Sequence, residues 1–150
     1  MDCTSNESVA QYYPTILQHS HLVTPNKKGF SSSLELWDKI KATSLDNKTF
    51  ALHESTVGAG LPILSTLNDL VQTGDEIVKI EGIFSGTLSY IFNNYSQLGR
   101  TDAQPAFSGI VKQAKELGYT EPDPRDDLNG MDVARKVVIL GYILCFNYFL

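Results

Sequence analysis

The stretch Gly118–Lys136 reads GYTEPDPRDDLNGMDVARK. Glu121, Asp123, Asp126, Asp127 and Asp132 crowd around Arg125 and run into Arg135 and Lys136, between two apolar segments of helical period. Carboxylates held this close repel one another unless cations stand among them. Pro122 and Pro124 stiffen the backbone that carries Glu121 and Asp123. Asn129 suits the N-cap of a helix that starts near Met131, and Asp132 then falls in its first turn, where the helix dipole favours negative charge. Asp132 and Lys136 are four residues apart with the acid first, so they share one face of that helix. Two readings stand open here. One is a solvated loop leading into a capped helix, with a surface ion pair worth about 0.3 kcal/mol. The other is a polar site whose acids and lysine act on a substrate, and the apolar run Val137-Val138-Ile139-Leu140 just beyond the lysine favours it.

Moving outward, Phe107, Ile110, Val111, Ala114 and Leu117 recur at helical spacing until Gly118, behind a polar loop over Gln97–Pro105. A helix is predicted from Ser85 as N-cap through Leu88, Ile91 and Phe92 to Tyr95. Ile77, Val78, Ile80 and Ile83 predict a strand over Glu76–Phe84. Pro62 opens a helix carrying Ile63, Leu67, Leu70 and Val71, with Gly74 at its end. Nearer the N-terminus, a helix over Ser5–Gln18 is expected with Ser5 as N-cap and a division at Pro14. Then come a strand at His21–Thr24, a helix at Ser33–Thr43 facing inward through Leu34, Trp37 and Ile40, and a strand at Phe50–His53. Strands alternating with helices predict an α/β architecture.

Composition narrows the function. At 150 residues, 42% hydrophobic and 19% charged, the chain is globular and long enough to bury a core. A net charge of -5 and basic runs of no more than two residues, such as Lys27-Lys28, speak against nucleic acid as a partner. Cys3 and Cys145 lack the spacing of a disulfide framework or a zinc site, which points to a reducing compartment. No secretory signal is visible, and the apolar end Val137–Leu150 is shorter than a membrane span, so a cytoplasmic protein without a membrane partner is expected.

Two further motifs can carry chemistry. VGAGLP, Val57–Pro62, is readable as an anion cradle at a helix start or as a tight turn into a capped helix. It is also readable as a turn that aims main-chain oxygens at a hard cation. IEGIFSGTLSYIFNN, Ile80–Asn94, places Ser85, Gly86 and Thr87 at a predicted strand-to-helix junction, where open α/β sheets bind ligands, although on pattern alone a helix start capped by Ser85 is the favoured reading.

Four blocks, TPNKKGFS (Thr24–Ser31), ESTVGAGLPILSTL (Glu54–Leu67), IEGIFSGTLSYIFNN and GYTEPDPRDDLNGMDVARK, occur in the order and near the spacing of homoserine dehydrogenase, which the chain resembles over about residues 2–140. The resemblance implies NAD- or NADP-dependent reduction of L-aspartate 4-semialdehyde to L-homoserine, on the route to threonine, methionine and isoleucine. It implies Lys136 as the catalytic proton donor, and Glu121 and Asp132 as substrate-binding acids. It also implies Thr4, Lys28 and Gly118 as cofactor contacts. A sodium or potassium ion would be held by main-chain oxygens of Glu54, Val57, Ala59 and Leu61, and the family's assembly would be a homodimer.

The resemblance divides the chain into a remnant of a Rossmann nucleotide-binding domain (residues 1–50), part of a mixed α/β substrate domain (51–140) and a divergent apolar tail (141–150). The family's G-x-G-x-x-G fingerprint is not in the sequence, so a fragment is expected. The alternative to an enzyme is a shortened, non-catalytic product that is inert or associates with full-length subunits.

Overall fold

A computed structural model describes residues 1–99, 101 and 103–146, the last by its backbone alone. The chain forms two units, one of Met1–Ile80 together with the chain from Arg135, the other of Glu81–Ala134. The architecture is mixed α/β: helices dominate, and the sheet among the described residues has two parallel strands.

In the first unit, β1 (Leu22–Val23) and β2 (Ala51–Leu52) pair with Leu22 opposite Ala51 and Val23 opposite Leu52. The ladder is secured by Leu22 N–H to Phe50 O at 2.8 Å and Thr24 N–H to Leu52 O at 2.9 Å. Parallel pairing requires a long crossover, and α3 (Leu34–Asp46), capped by Ser33 Oγ accepting from Leu36 N–H at 3.2 Å, supplies it. Ahead of β1, the expected helix is two pieces, α1 (Glu7–Ala10) and α2 (Tyr13–Leu17), with Pro14 in the first turn of the second. A ring that locks φ and lacks an N–H is tolerated there and not in a helix interior. The N-cap is Asn6 rather than Ser5: its carboxamide accepts from Ser8 N–H at 2.8 Å.

Tyr13, Leu17, Leu22, Phe30, Leu36, Trp37 and Ile40 are buried and form the core of this unit. Leu34 remains 45% exposed, because α3 begins there, and Leu36 takes the inward place expected of it. Phe30 stands edge-on to Trp37 at 6.0 Å between ring centroids, an arrangement the ring quadrupoles favour. Gly29 lets the chain pass over Tyr13. A Cβ there would press into the Tyr13 ring, lie 2.9 Å from its Cδ2 and stand 3.3 Å from the Ala10 methyl. Since Tyr13 and Ala10 are fully buried, Gly29→Ala is expected to destabilise by about 1–3 kcal/mol through overpacking. An unchanged melting temperature in that variant would show that the ring steps aside.

After β2 a short 3₁₀ turn, Glu54–Thr56, leads to α4 (Ile63–Gln72), which buries Leu64 and Leu67. The strand expected over Glu76–Phe84 is not formed. The segment makes no ladder, and Val78 and Ile83 are 92% and 84% exposed. Alternation specifies two faces, but a strand exists only when another pairs with its N–H and C=O groups. No such partner stands beside it among the described residues.

The second unit holds α5 (Gly86–Tyr95), α6 (Phe107–Glu116) and α7 (Pro124–Leu128). Its core is Ile91, Ile110 and Ala114, with Tyr90, Tyr95, Phe107 and Val111 packed against it. α8 (Met131–Phe146) follows. Of the apolar tail expected at 141–150, residues through Phe146 continue this helix, and 147–150 lie outside the described residues. No helix among the described residues is long and apolar enough to cross a membrane.

Candidate active site and cofactor contacts

The acidic segment is shaped by its own acids. α6 closes at Gly118, whose φ of +75° disfavours a side chain. Gly118 N–H donates to Lys115 O and Tyr119 N–H to Ala114 O, both at 3.0 Å, and this paired closure turns the backbone toward Glu121. The Thr87 hydroxyl, in the first turn of α5, donates to the Tyr119 carbonyl, and the Tyr90 and Tyr119 rings meet edge-on at 5.0 Å. Asp123 caps α7 by accepting from Arg125 N–H at 3.0 Å. The Arg125 guanidinium doubles back onto the same carboxylate, with its Nη2 at 2.6 Å from Oδ2. The Arg125 side-chain bonds, aided by its backbone N–H, hold Asp123 down at about 2. Asp127, 3% exposed, accepts from the Glu121 main-chain N–H at 2.8 Å. Asp123 and Asp127 thus hold the loop in shape.

Glu121 is half-buried and its backbone is clamped by Asp127. Asn129 accepts from Met131 N–H at 2.9 Å at the start of α8. Asp132, 6% exposed, lies in the first turn of that helix, and Lys136, half-buried, follows one turn later. Glu121 and Asp132 belong to the unit Glu81–Ala134, and Lys136 to the unit that resumes at Arg135. Gly118 is exposed at the head of the same segment. The sequence pattern missed the clamp by Asp127. Its signal, a carboxylate six residues after Glu121, has meaning only once Pro124 and the Asp123 cap start a helix that folds the chain back.

Of the residues expected to contact a cofactor, Thr4 is exposed and its N–H donates to Asp2 Oδ1 at 2.8 Å. Lys28 is half-buried in a 3₁₀ turn, Lys27–Phe30, which Asn26 starts by accepting from Lys28 N–H at 3.1 Å. A hydroxyl and an ammonium are suitable donors to a ribose or phosphate oxygen, so these residues fit the outer contacts of a dinucleotide.

Near this turn His53 stacks on Phe30 at 3.9 Å and stands edge-on to Trp37 at 5.8 Å. Burial, reinforced by the positive charge of Lys41, lowers His53 from 6.5 to about 4. The folded state therefore binds fewer protons than the unfolded chain between those values. The stability this contributes is present above pH 6.5 and is lost as pH falls toward 4. Wild type is expected to lose on the order of 2 kcal/mol more than His53→Phe across that window in denaturant titrations. Parallel curves would contradict it.

The VGAGLP turn is wound by consecutive positive φ angles, +84° at Gly58 and +52° at Ala59. The Glu54 carboxylate is committed to the start of α4, accepting from Leu64 N–H at 2.8 Å and Ser65 N–H at 2.9 Å. That leaves main-chain oxygens as the ligands this turn can offer. The carbonyls of Glu54 and Leu61 accept from Val57 and Ile63 N–H, whereas those of Val57 and Ala59 accept no backbone bond among the described residues. Main-chain oxygens are the type of donor a hard cation takes. Among the described residues there is no cluster of His, Cys, Asp and Glu that can hold a metal ion.

Residues 1–53 match the family model described as homoserine dehydrogenase, NAD binding domain, which puts the N-terminal part in the class of dinucleotide-binding oxidoreductase domains. Residues 62–148 match the model described as homoserine dehydrogenase, and the chain belongs to that family. It is 58% identical over 144 residues to the homoserine dehydrogenase of Emericella nidulans, covering 95% of this chain and 39% of the relative. The homoserine dehydrogenase of Schizosaccharomyces pombe is also 58% identical over 144 residues, with 95% and 38% covered. Among solved structures, a hyperthermophilic archaeal homoserine dehydrogenase mutant in complex with NADPH superposes with a TM-score of 0.78 at 26% identity, over 95% of this chain and 42% of that one. The chain thus spans about two fifths of the length of the relatives it matches.

Proposed function

We propose that this chain carries the substrate-binding and proton-transfer residues of a homoserine dehydrogenase, which reduces L-aspartate 4-semialdehyde to L-homoserine on the route to threonine, methionine and isoleucine. The observation that carries the reading is the Gly118–Lys136 segment: Glu121 held by its backbone, Asp132 buried at the head of α8, and Lys136 one turn on. A bound NADPH or NADH supplies a hydride to the aldehyde carbon. Lys136 gives a proton to the aldehyde oxygen as negative charge develops there, and its neutral amine takes the alcohol proton in the reverse direction. Glu121 and Asp132 hold the substrate ammonium and so fix which way the aldehyde points.

Thr4, Lys28 and Gly118 contact the cofactor. The archaeal relative solved in complex with NADPH supports a nicotinamide dinucleotide in this role. The main-chain oxygens of Glu54, Val57, Ala59 and Leu61 would hold a sodium or potassium ion, whose charge would steady the turn ahead of α4. Residues 1–50 act as part of the nucleotide domain and 51–140 as part of the substrate domain, in an enzyme that works as a homodimer.

The test is NADPH oxidation with L-aspartate 4-semialdehyde, with homoserine identified as product. A protein of family length carrying this sequence is expected to turn over, and the 150-residue chain alone is expected to show no measurable rate. Failure of the longer protein to form homoserine would overturn the assignment, and robust turnover by the short chain would overturn the need for the rest of the family's length.

A further inference from the structure

Thr4 and Lys28 lie far apart in sequence, yet a single side chain joins their supports. Asn26 is 2% exposed. Its Nδ2 donates to Asp2 Oδ2 at 3.3 Å and to the Asn6 carbonyl at 3.0 Å, while its Oδ1 accepts from Lys28 N–H at 3.1 Å. Asp2 and Asn6 flank Thr4 and hold it directly: Thr4 N–H donates to Asp2 Oδ1 at 2.8 Å, and Asn6 N–H donates to Thr4 Oγ1 at 3.3 Å. Asp2 is itself anchored, by its N–H to the Val23 carbonyl at 3.0 Å and by the buried Tyr13 hydroxyl, which also meets Thr24 Oγ1 at 3.2 Å. Burial alone would raise Asp2, but the bonds from Tyr13, Thr4 and Asn26 outweigh it and bring it to about 2, so it is an anion at neutral pH. The orientation of the Asn26 amide follows from its neighbours, with two acceptors on the nitrogen side and one N–H on the oxygen side.

We propose that Asn26 is a positioning residue that binds the Thr4 loop to the Lys28 turn, so that the two meet a nicotinamide dinucleotide as one rigid element. The cofactor part rests on the proposed roles of Thr4 and Lys28; the bridge rests on the hydrogen bonds alone. Asparagine is required because one side chain must donate twice and accept once. Aspartate at the same place keeps the acceptor for Lys28 N–H, but sets a carboxylate against Asp2 and the Asn6 carbonyl.

The experiment pairs amide hydrogen exchange on the 150-residue chain with NADPH titration of a family-length protein. In Asn26→Asp, the Lys28 amide is expected to keep its protection within about threefold, because its acceptor remains, while the Thr4 amide loses at least about tenfold. The Leu22 and Thr24 amides in the β1–β2 ladder report whether the unit is folded. The NADPH dissociation constant is expected to rise at least about tenfold, with the semialdehyde KM within about twofold. If that variant fails to fold, Asp2→Ala removes the Asp2 arm of the bridge together with the acceptor of the Thr4 N–H, and leaves the Asn26 bonds to Asn6 and Lys28. The same loss at Thr4 and the same rise for NADPH are expected. A folded variant whose Thr4 exchange is unchanged overturns the bridge. Faster Thr4 exchange with unchanged NADPH affinity overturns the proposal through the cofactor assignment of Thr4 and Lys28 instead.

Discussion

Lys136→Met, in a protein of family length, lowers kcat by about 10²–10⁴-fold and leaves KM for L-aspartate 4-semialdehyde within about threefold. Methionine keeps much of the length of the lysine stem and its apolar character, so α8 retains its packing through Ile139, Leu140 and Ile143, all buried. What it loses is the proton donor. The carbonyl oxygen gains negative charge as the carbon is reduced, and without an acid in reach that charge waits on water. A kcat that held while KM alone rose would make Lys136 a binding residue.

The second large effect is expected at Asp127, a residue that neither substrate nor cofactor is proposed to touch. Its buried carboxylate fixes the Glu121 N–H at 2.8 Å. Asp127→Ala leaves that donor without its acceptor, which costs about 1–3 kcal/mol of stability. It also frees Glu121 to drift, and a misplaced ammonium-binding carboxylate raises the semialdehyde KM by about tenfold. Asp127→Asn retains a carbonyl oxygen at the same place and is expected to restore most of both losses. Denaturant titration and steady-state kinetics on the two variants check this. Loss of stability with unchanged KM in Asp127→Ala would confine Asp127 to a structural role.

Much of the fold was legible because it is local. α3, α5 and α6 announce themselves by apolar residues at helical spacing, with Ser85 as a cap and Gly118 as a stop. Pro14 divided a helix as a missing N–H demands. The error at Glu76–Phe84 has the opposite origin: pairing is a property of two segments, and alternation in one of them says nothing about the other. The candidate site was legible in its residue types, through the acids and lysine of Gly118–Lys136. Their separate positions were not, because Asp127 reaches Glu121 only after α7 has turned the chain. Asn26 lies just beyond the strand predicted at His21–Thr24, where no periodic pattern gives it a role. Its links to Asp2 and Asn6 cross 24 and 20 residues, beyond any periodic pattern.

The most direct measurement of the substrate assignment compares two aldehydes that differ only in the ammonium. kcat/KM is determined for L-aspartate 4-semialdehyde and for succinate semialdehyde, in wild type and in Glu121→Gln of a family-length protein. If Glu121 holds the ammonium, the variant loses activity toward the amino substrate by about tenfold or more, and changes little toward the other, so that discrimination collapses. An equal proportional loss for both aldehydes would contradict the assignment, because Glu121 would then serve the reaction without reading the group that distinguishes its substrate.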